Sequence, residues 1–361
     1  VAVVVAAAAA AAAVADLTPF ANPQLPTMLK DRLIGGRKTG RFTLQWHLTN
    51  ACPFHCGHCY DRSGRAELEL AESLKILTDF QDFCARHRVL GQISLSGGDP
   101  LWYPAFWDLY QAIADAWIPV SILGNPISPA MLMRLVEIQL PHYYQVSLEG
   151  LPDYNDRIRG RGHFDQVLGF LSTARELRLR THVMLTLHDG NLDQVIPLGE
   201  ALRGLTHRLS FNRLSQVGGA ATFTVPDPAA YAAFAAHYLS ARKSNPILGL
   251  KDGLLNIHLR RRGGRLFGGC TGCGCGAAFN FVAVLPDGEV HACRKFPSLL
   301  GNLRDDSLDT IYASHAAKQY RRGSTSCRAC HLHHVCGGCM AVVHAHGGNV
   351  LHDRDPQCFS E

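Results

Sequence analysis

Between Phe42 and about Leu214, short apolar runs alternate with longer stretches in which apolar residues recur every three or four positions. That rhythm predicts successive βα units around a parallel sheet. Six strands are expected: FTLQWHL from Phe42, QISLS from Gln92, PVSIL from Pro119, YYQVSLE from Tyr143, THVMLTL from Thr181 and HRLSFNRL from His207. Amphipathic helices fill the gaps, among them AELELAESLKILTDFQDFCARH from Ala66 and FDQVLGFLSTARELR from Phe164. Six units make an α/β fold, a partial (β/α)6 TIM-like barrel, with reactive groups expected at the C-terminal strand ends.

The texture changes near Val217. A Pro/Ala-rich segment leads into a helix expected from Pro228 to Lys243, and Gly/Cys-rich sequence begins at Gly263. The run NFVAVLPDGEVHAC predicts a β-hairpin turning at Pro286-Asp287-Gly288. The rest is loop-rich and needs metal clusters to organise it. The expected divisions are an N-terminal extension (1–41), the barrel (42–216), a bridging region (217–262) and a small loop-rich domain (263–361), without an internal repeat.

Composition narrows the class. A chain of 361 residues that is 47% hydrophobic can bury a large core. The formal charge of +5, from 35 bases against 30 acids, is too diluted to point to a nucleic acid or membrane partner. The opening VAVVVAAAAAAAAVAD has no basic region before it and is too short to span a bilayer, so it carries no functional signal. No recognisable leader-binding domain is found before Phe42.

Cysteine placement says more. Thirteen thiols cluster in short spacings at the two ends of the chain. In a large α/β chain such clusters read as ligands for zinc or iron-sulfur centres in a reducing, cytoplasmic setting, not as cystines. Cys84 falls in a helical pattern and is expected to be a buried small hydrophobe.

Cys52-x3-Cys56-x2-Cys59 follows the first strand directly. Three thiolates can hold three corners of a four-iron cube and leave the fourth iron open to a ligand, whereas structural zinc wants four ligands, which His55 or His58 would have to complete. With its setting, CPFHCGHCY resembles the radical S-adenosylmethionine superfamily, in which S-adenosylmethionine chelates the open iron and is cleaved to methionine and a 5'-deoxyadenosyl radical. The family usually has an aromatic carbocycle before the third cysteine. Here His58 stands there, with Tyr60 as a second aromatic face, so either would pack on adenine.

The resemblance extends to later strands. Gly97-Gly98-Asp99-Pro100 is similar to the family's GGEP motif, in which the glycines permit close backbone approach and the acid accepts from the cofactor ammonium. Asn125 after the third strand, and Ser147 and Glu149 at the end of the fourth, put polar groups at the barrel mouth. The resemblance implies that Ser147 bonds the ribose or methionyl group and that Arg159 pairs with the cofactor carboxylate. Asn212 and Ser215 end the sixth strand and are weaker candidates.

Cys275-x12-Gly288-x4-Cys293, Cys327-x2-Cys330-x5-Cys336-x2-Cys339 and Cys358 resemble the SPASM extension, which binds two auxiliary iron-sulfur clusters. The resemblance implies one cluster on Cys275, Cys293, Cys339 and either Cys270 or Cys273, and a second on Cys327, Cys330, Cys336 and Cys358. With the radical cluster, that makes three [4Fe-4S] clusters. Zinc suits the paired spacings nearly as well. His331, His333, His334, His344 and His346 read as surface groups.

Enzymes with this extension often modify peptides or proteins oxidatively. The sulfatase-maturing branch carries an aspartate after the cysteine that matches Cys293, and this chain has Arg294. The leading expectation is therefore a maturase that oxidises a leader-bearing precursor peptide, forming a thioether or other crosslink, with a flavodoxin or ferredoxin as reductant. The alternatives are a formylglycine-forming sulfatase maturase and, in another class, a non-catalytic electron-transfer or zinc-binding scaffold.

Overall fold

The computed structural model describes residues 33–34, 37–38 and 40–360. The Ala/Val tract and most of the 1–41 extension lie outside the described residues. The part described is an antiparallel pair, Leu33–Ile34 with Arg37–Lys38.

Six strands then follow: β1 (Arg41–Thr49), β2 (Leu90–Gly97), β3 (Val120–Leu123), β4 (Tyr144–Ser147), β5 (Thr181–Leu187) and β6 (Arg208–Arg213). Each is parallel to the next, in sequence order. Helices α1 (Leu70–His87), α2 (Phe106–Asp115), α3 (Pro129–Ile138), α4 (Pro152–Arg159), α5 (His163–Glu176) and α6 (Val195–Ala201) make the crossovers. The fold is α/β, a partial barrel.

Side-chain alternation divides the sheet into two faces. Phe42, Leu44, Trp46 and Leu48 of β1, Val183, Leu185 and Leu187 of β5, and Leu209 and Phe211 of β6 enter the apolar core. The opposite face carries Thr43, Gln45, His47 and Thr49, then His182, Met184 and Thr186, then Arg208, Ser210 and Asn212. A closed barrel fills its interior with branched apolar side chains. A concave face this polar makes a chamber instead.

Helix α1 begins at Leu70, not near Ala66. Glu69 and Glu72 form a capping box there, and the Leu68 N–H donates to the Pro286 carbonyl at 2.9 Å, which draws the preceding residues against the hairpin. The helix expected to reach Lys243 is α7 (Pro228–Ala241), started by the Asp227 cap.

The hairpin forms as expected, β7 (Phe281–Val284) antiparallel to β8 (Glu289–His291), with β9 (Leu299–Asn302) beyond. Its docking is the surprise. β7 runs parallel to β1, so one sheet has the order β9-β8-β7-β1-β2-β3-β4-β5-β6. The edge that a partial barrel leaves open at β1 is thereby paired. At the other edge the Arg213 guanidinium of β6 is buried between Asp252 (2.7 Å), Asp355 (2.6 Å) and Gln357 (2.8 Å). The cysteine-rich end of the chain thus grips both sides of the barrel.

Candidate functional site

The chain leaves β1 into a loop that carries Cys52, Cys56 and Cys59, and backbone hydrogen bonds hold it from three directions. Gly98 and Asp99 N–H donate to the Thr49 and Ala51 carbonyls at 2.8 Å, Gly57 N–H to Ile158 of α4 at 2.8 Å, and Gly219 N–H to Cys59 at 2.9 Å. Gly97 (φ +140°) and Gly218 (φ +56°) lie where a Cβ would run into the Thr49 and Tyr60 carbonyls. The close approach that the GGDP glycines permit is therefore to the cysteine loop itself. Sequence reasoning missed Gly218-Gly219; a Gly-Gly pair soon after the sixth strand was the available signal.

Polar side chains surround the thiols. Asn125 Nδ2 lies 3.6 Å from Cys52 Sγ and donates to Asp99 at 3.0 Å. Asp99 also accepts from Leu101 N–H at 3.2 Å, capping the turn that Pro100 opens. Arg159 Nη1 is 3.6 Å from Cys56 Sγ, while its Nε and Nη2 donate to Glu149 at 2.9 and 2.5 Å. Glu149 is fully buried. It also takes His58 Nε2 at 3.0 Å and the Thr186 N–H at 2.8 Å. Burial opposes its ionisation, but His58, Arg159 and the Thr186 N–H outweigh that and hold the carboxyl well below the usual range. Ser147 and Asn212 are half-buried on the concave face.

Tyr60 does not share the surroundings of His58. Arg294, which follows Cys293, reaches the concave face, donates to Ser96 at 2.8 Å, lies 3.3 Å from His47 Nε2 and sits over the Tyr60 ring at 5.4 Å. Tyr60 Oη is 3.4 Å from His47 Nδ1. Burial, with Arg294 beside it, keeps the His47 imidazole neutral, well below its usual pKa. His47 went unnoticed in the sequence, although its place in the inward phase of β1 was a usable signal.

The residues fit a cluster with a bound cofactor. Burial pushes the Cys52 and Cys56 thiols up, so a metal's charge is what would make them thiolates. Among the described residues no three His, Cys, Asp or Glu donors converge on a point as a single ion would require; ligands to separate corners of a cube stand further apart. His58 Nδ1 and Ser215 Oγ are buried without a hydrogen-bond partner, and buried polar atoms normally have one. With Nε2 turned to Glu149, Nδ1 is the ring atom of His58 left to meet a bound group.

The C-terminal cysteines fall into two sets. Cys339 and Cys270 bear electrostatically on Cys275, and Cys270 also on Cys293. Cys270 thus lies with Cys275, Cys293 and Cys339. Cys273 packs against the apolar core, as Cys330, Cys336 and Cys358 do. A Cys270→Ala variant is expected to lose about four irons of a twelve-iron protein on iron and sulfide quantification. Cys327, Cys330, Cys336 and Cys358 line a separate cavity of about 260 Å³ with Arg354 and Asp355. Phe296 lies beside the His344 ring at 5.9 Å, whereas His331 and His333 border that cavity.

The family model of the radical SAM superfamily matches residues 46–200, and that of the SPASM iron-sulfur cluster-binding domain matches residues 273–340. The mycofactocin maturase MftC of Mycobacterium ulcerans is 29% identical over 87% of this chain and 87% of its own. The AdoMet-dependent heme synthase of Methanosarcina barkeri is 23% identical over 88% of this chain and 95% of its own. Among solved structures, Streptococcus suis SuiB bound to its precursor peptide SuiA superposes with a TM-score of 0.68 at 18% identity, over 90% of this chain and 77% of that one. This last likeness is one of fold.

Proposed function

We propose that this chain, a radical S-adenosylmethionine enzyme with a SPASM iron-sulfur domain, is a maturase that oxidatively modifies a ribosomally made precursor peptide. The observation that carries the reading is that the two cysteine systems border one polar chamber. Tyr60, next to Cys59, and Arg294, next to Cys293, meet across it. A radical site and an acceptor for the electron left after hydrogen abstraction would then flank the same substrate. Bound S-adenosylmethionine and its reduced cluster would supply the 5'-deoxyadenosyl radical.

The chain's own residues divide the rest of the work. Cys52, Cys56 and Cys59 would hold the radical cluster, and Cys270, Cys275, Cys293 and Cys339, with Cys327, Cys330, Cys336 and Cys358, would hold two more. Arg159, fixed by Glu149, would pair with the cofactor carboxylate. His58 would meet adenine and Ser147 the ribose or methionyl group. His47 lies between Tyr60 and Arg294 on the concave face. A flavodoxin or ferredoxin would deliver electrons in a cytoplasmic setting, and among the described residues no helix is long and apolar enough to cross a membrane.

Arg294 argues against formylglycine formation, because a fixed cation cannot serve as the base that an aspartate provides there. The similarity to the heme synthase favours a second reading, in which the substrate is a tetrapyrrole. The assay separates them. Anaerobically reconstituted enzyme with dithionite and S-adenosylmethionine is given either the short peptide encoded beside its gene or iron coproporphyrin. The peptide is expected to lose the mass of a hydrogen pair as 5'-deoxyadenosine accumulates; turnover of the porphyrin alone refutes the peptide reading.

A further inference from the structure

A second cavity, of about 480 Å³, is within the size range of small-ligand sites. It lies on the concave face of β4–β6, around the N-terminal halves of those strands, and its wall includes Cys270. Its charge is one-sided. Arg180, Arg208 and Lys251 line it, and no Asp or Glu does. Among the described residues none of these three cations makes an ion pair with a carboxylate. Arg208 instead donates to Ser210 Oγ at 2.9 Å and to the Leu250 carbonyl, both neutral.

His182 stacks on Tyr143 at 4.2 Å, and its imidazole is pushed down to about 3 by burial and by the charges of Arg208 and Lys251. A half-buried guanidinium without a counter-ion is costly, and natural interiors pair such groups.

We propose that this cavity anchors a carboxylate of the peptide substrate, so that the enzyme selects peptides with an acidic group a fixed distance from the residue it oxidises. This rests on the maturase reading above. Arg208 and Asn212 are four residues apart on one face of β6, which is about 13 Å along a strand. An extended peptide covers that span in about four residues. An acid held by Arg208 and Lys251 therefore presents a residue about four positions away to the Cys52–Cys59 end of the chamber. The carboxylate is either an Asp or Glu side chain or the peptide's own C-terminus.

Calorimetric titration of the iron-loaded enzyme with three model peptides tests this. They are an amidated Gly-Asp-Gly-Glu-Gly, its Asn/Gln counterpart, and that neutral counterpart with a free C-terminal carboxylate. At least one carboxylate-bearing peptide is expected to bind about tenfold or more tighter than the neutral amide, and which one does so identifies the source. Arg208→Gln and Lys251→Gln should each erase the preference while iron content stays constant. Equal binding of all three peptides, or a preference that survives both substitutions, overturns the proposal. So does loss of iron in both variants, which would mean that these charges serve the thiolates around Cys270. A wild-type enzyme that forms no 5'-deoxyadenosine refutes the maturase reading instead, whatever the peptides do.

Discussion

A Cys56→Ala variant is expected to form no 5'-deoxyadenosine above background and to carry about eight irons instead of twelve. Cys52, Cys56 and Cys59 sit in one short loop, and Asn125 and Arg159 meet the Cys52 and Cys56 sulfurs with N–H donors, which cannot replace a thiolate. The check is chromatography of the products after anaerobic reaction with dithionite and S-adenosylmethionine, beside iron analysis of the same sample. Cys84→Ser is the matched control. Cys84 lies in α1 against the core, and burial alone pushes its thiol up to about 12. Its replacement should leave cleavage and iron unchanged. If Cys56→Ala cleaves the cofactor at the wild-type rate, the radical assignment is wrong.

The second large effect is expected at Glu149. Glu149→Gln keeps an acceptor for the Thr186 N–H but leaves the Arg159 guanidinium, with only 11% of its side chain exposed, without a counter-charge. Removing one partner of a buried ion pair costs about 3–5 kcal/mol. Denaturation midpoints of the iron-loaded proteins should therefore fall at pH 7, and the affinity for S-adenosylmethionine should fall with them as Arg159 and His58 lose their fixed positions. The pH dependence has a definite sign. The Glu149 carboxyl is depressed on folding, so its contribution is complete above the unfolded carboxyl value of about 4.3 and disappears only as the pH drops through its still lower folded value. The gap between wild type and variant should be constant at neutral pH and close only in strong acid. A Glu149→Gln/Arg159→Met double variant, which removes both charges, should recover much of the lost stability. If it does not, the ion pair is not what Glu149 contributes.

Much of the fold is visible in the residues. All six barrel strands are where the apolar runs place them, because each run is buried against helices on one face and needs no distant information to be recognised. The exceptions are boundaries set by remote partners. The segment before α1 is pulled straight by Pro286, and β4 stops at Ser147 where the Glu149 N–H turns to the Asn155 side chain at 3.1 Å.

For the site the division is sharper. Cys52, Cys56 and Cys59 are legible as candidate cluster ligands because three thiols within one loop are a local property of spacing, and the hairpin between Cys275 and Cys293 is legible for the same reason. No spacing could choose between Cys270 and Cys273, which lie three residues apart. That choice depends on where Cys275, Cys293 and Cys339 meet. Nor could spacing show that β7 docks beside β1, so that Arg294 enters the chamber with His47 and Tyr60, or that Arg180, Arg208 and Lys251 share a cavity without an acid.

The sequence by itself thus determined the class of chemistry, since a metal cluster and a βα repeat are both written in short-range order. Tertiary structure alone decided which side chains share the concave face. Those contacts join residues up to about 250 positions apart, and only the pairing of strand edges and the choice of face in each strand bring them together.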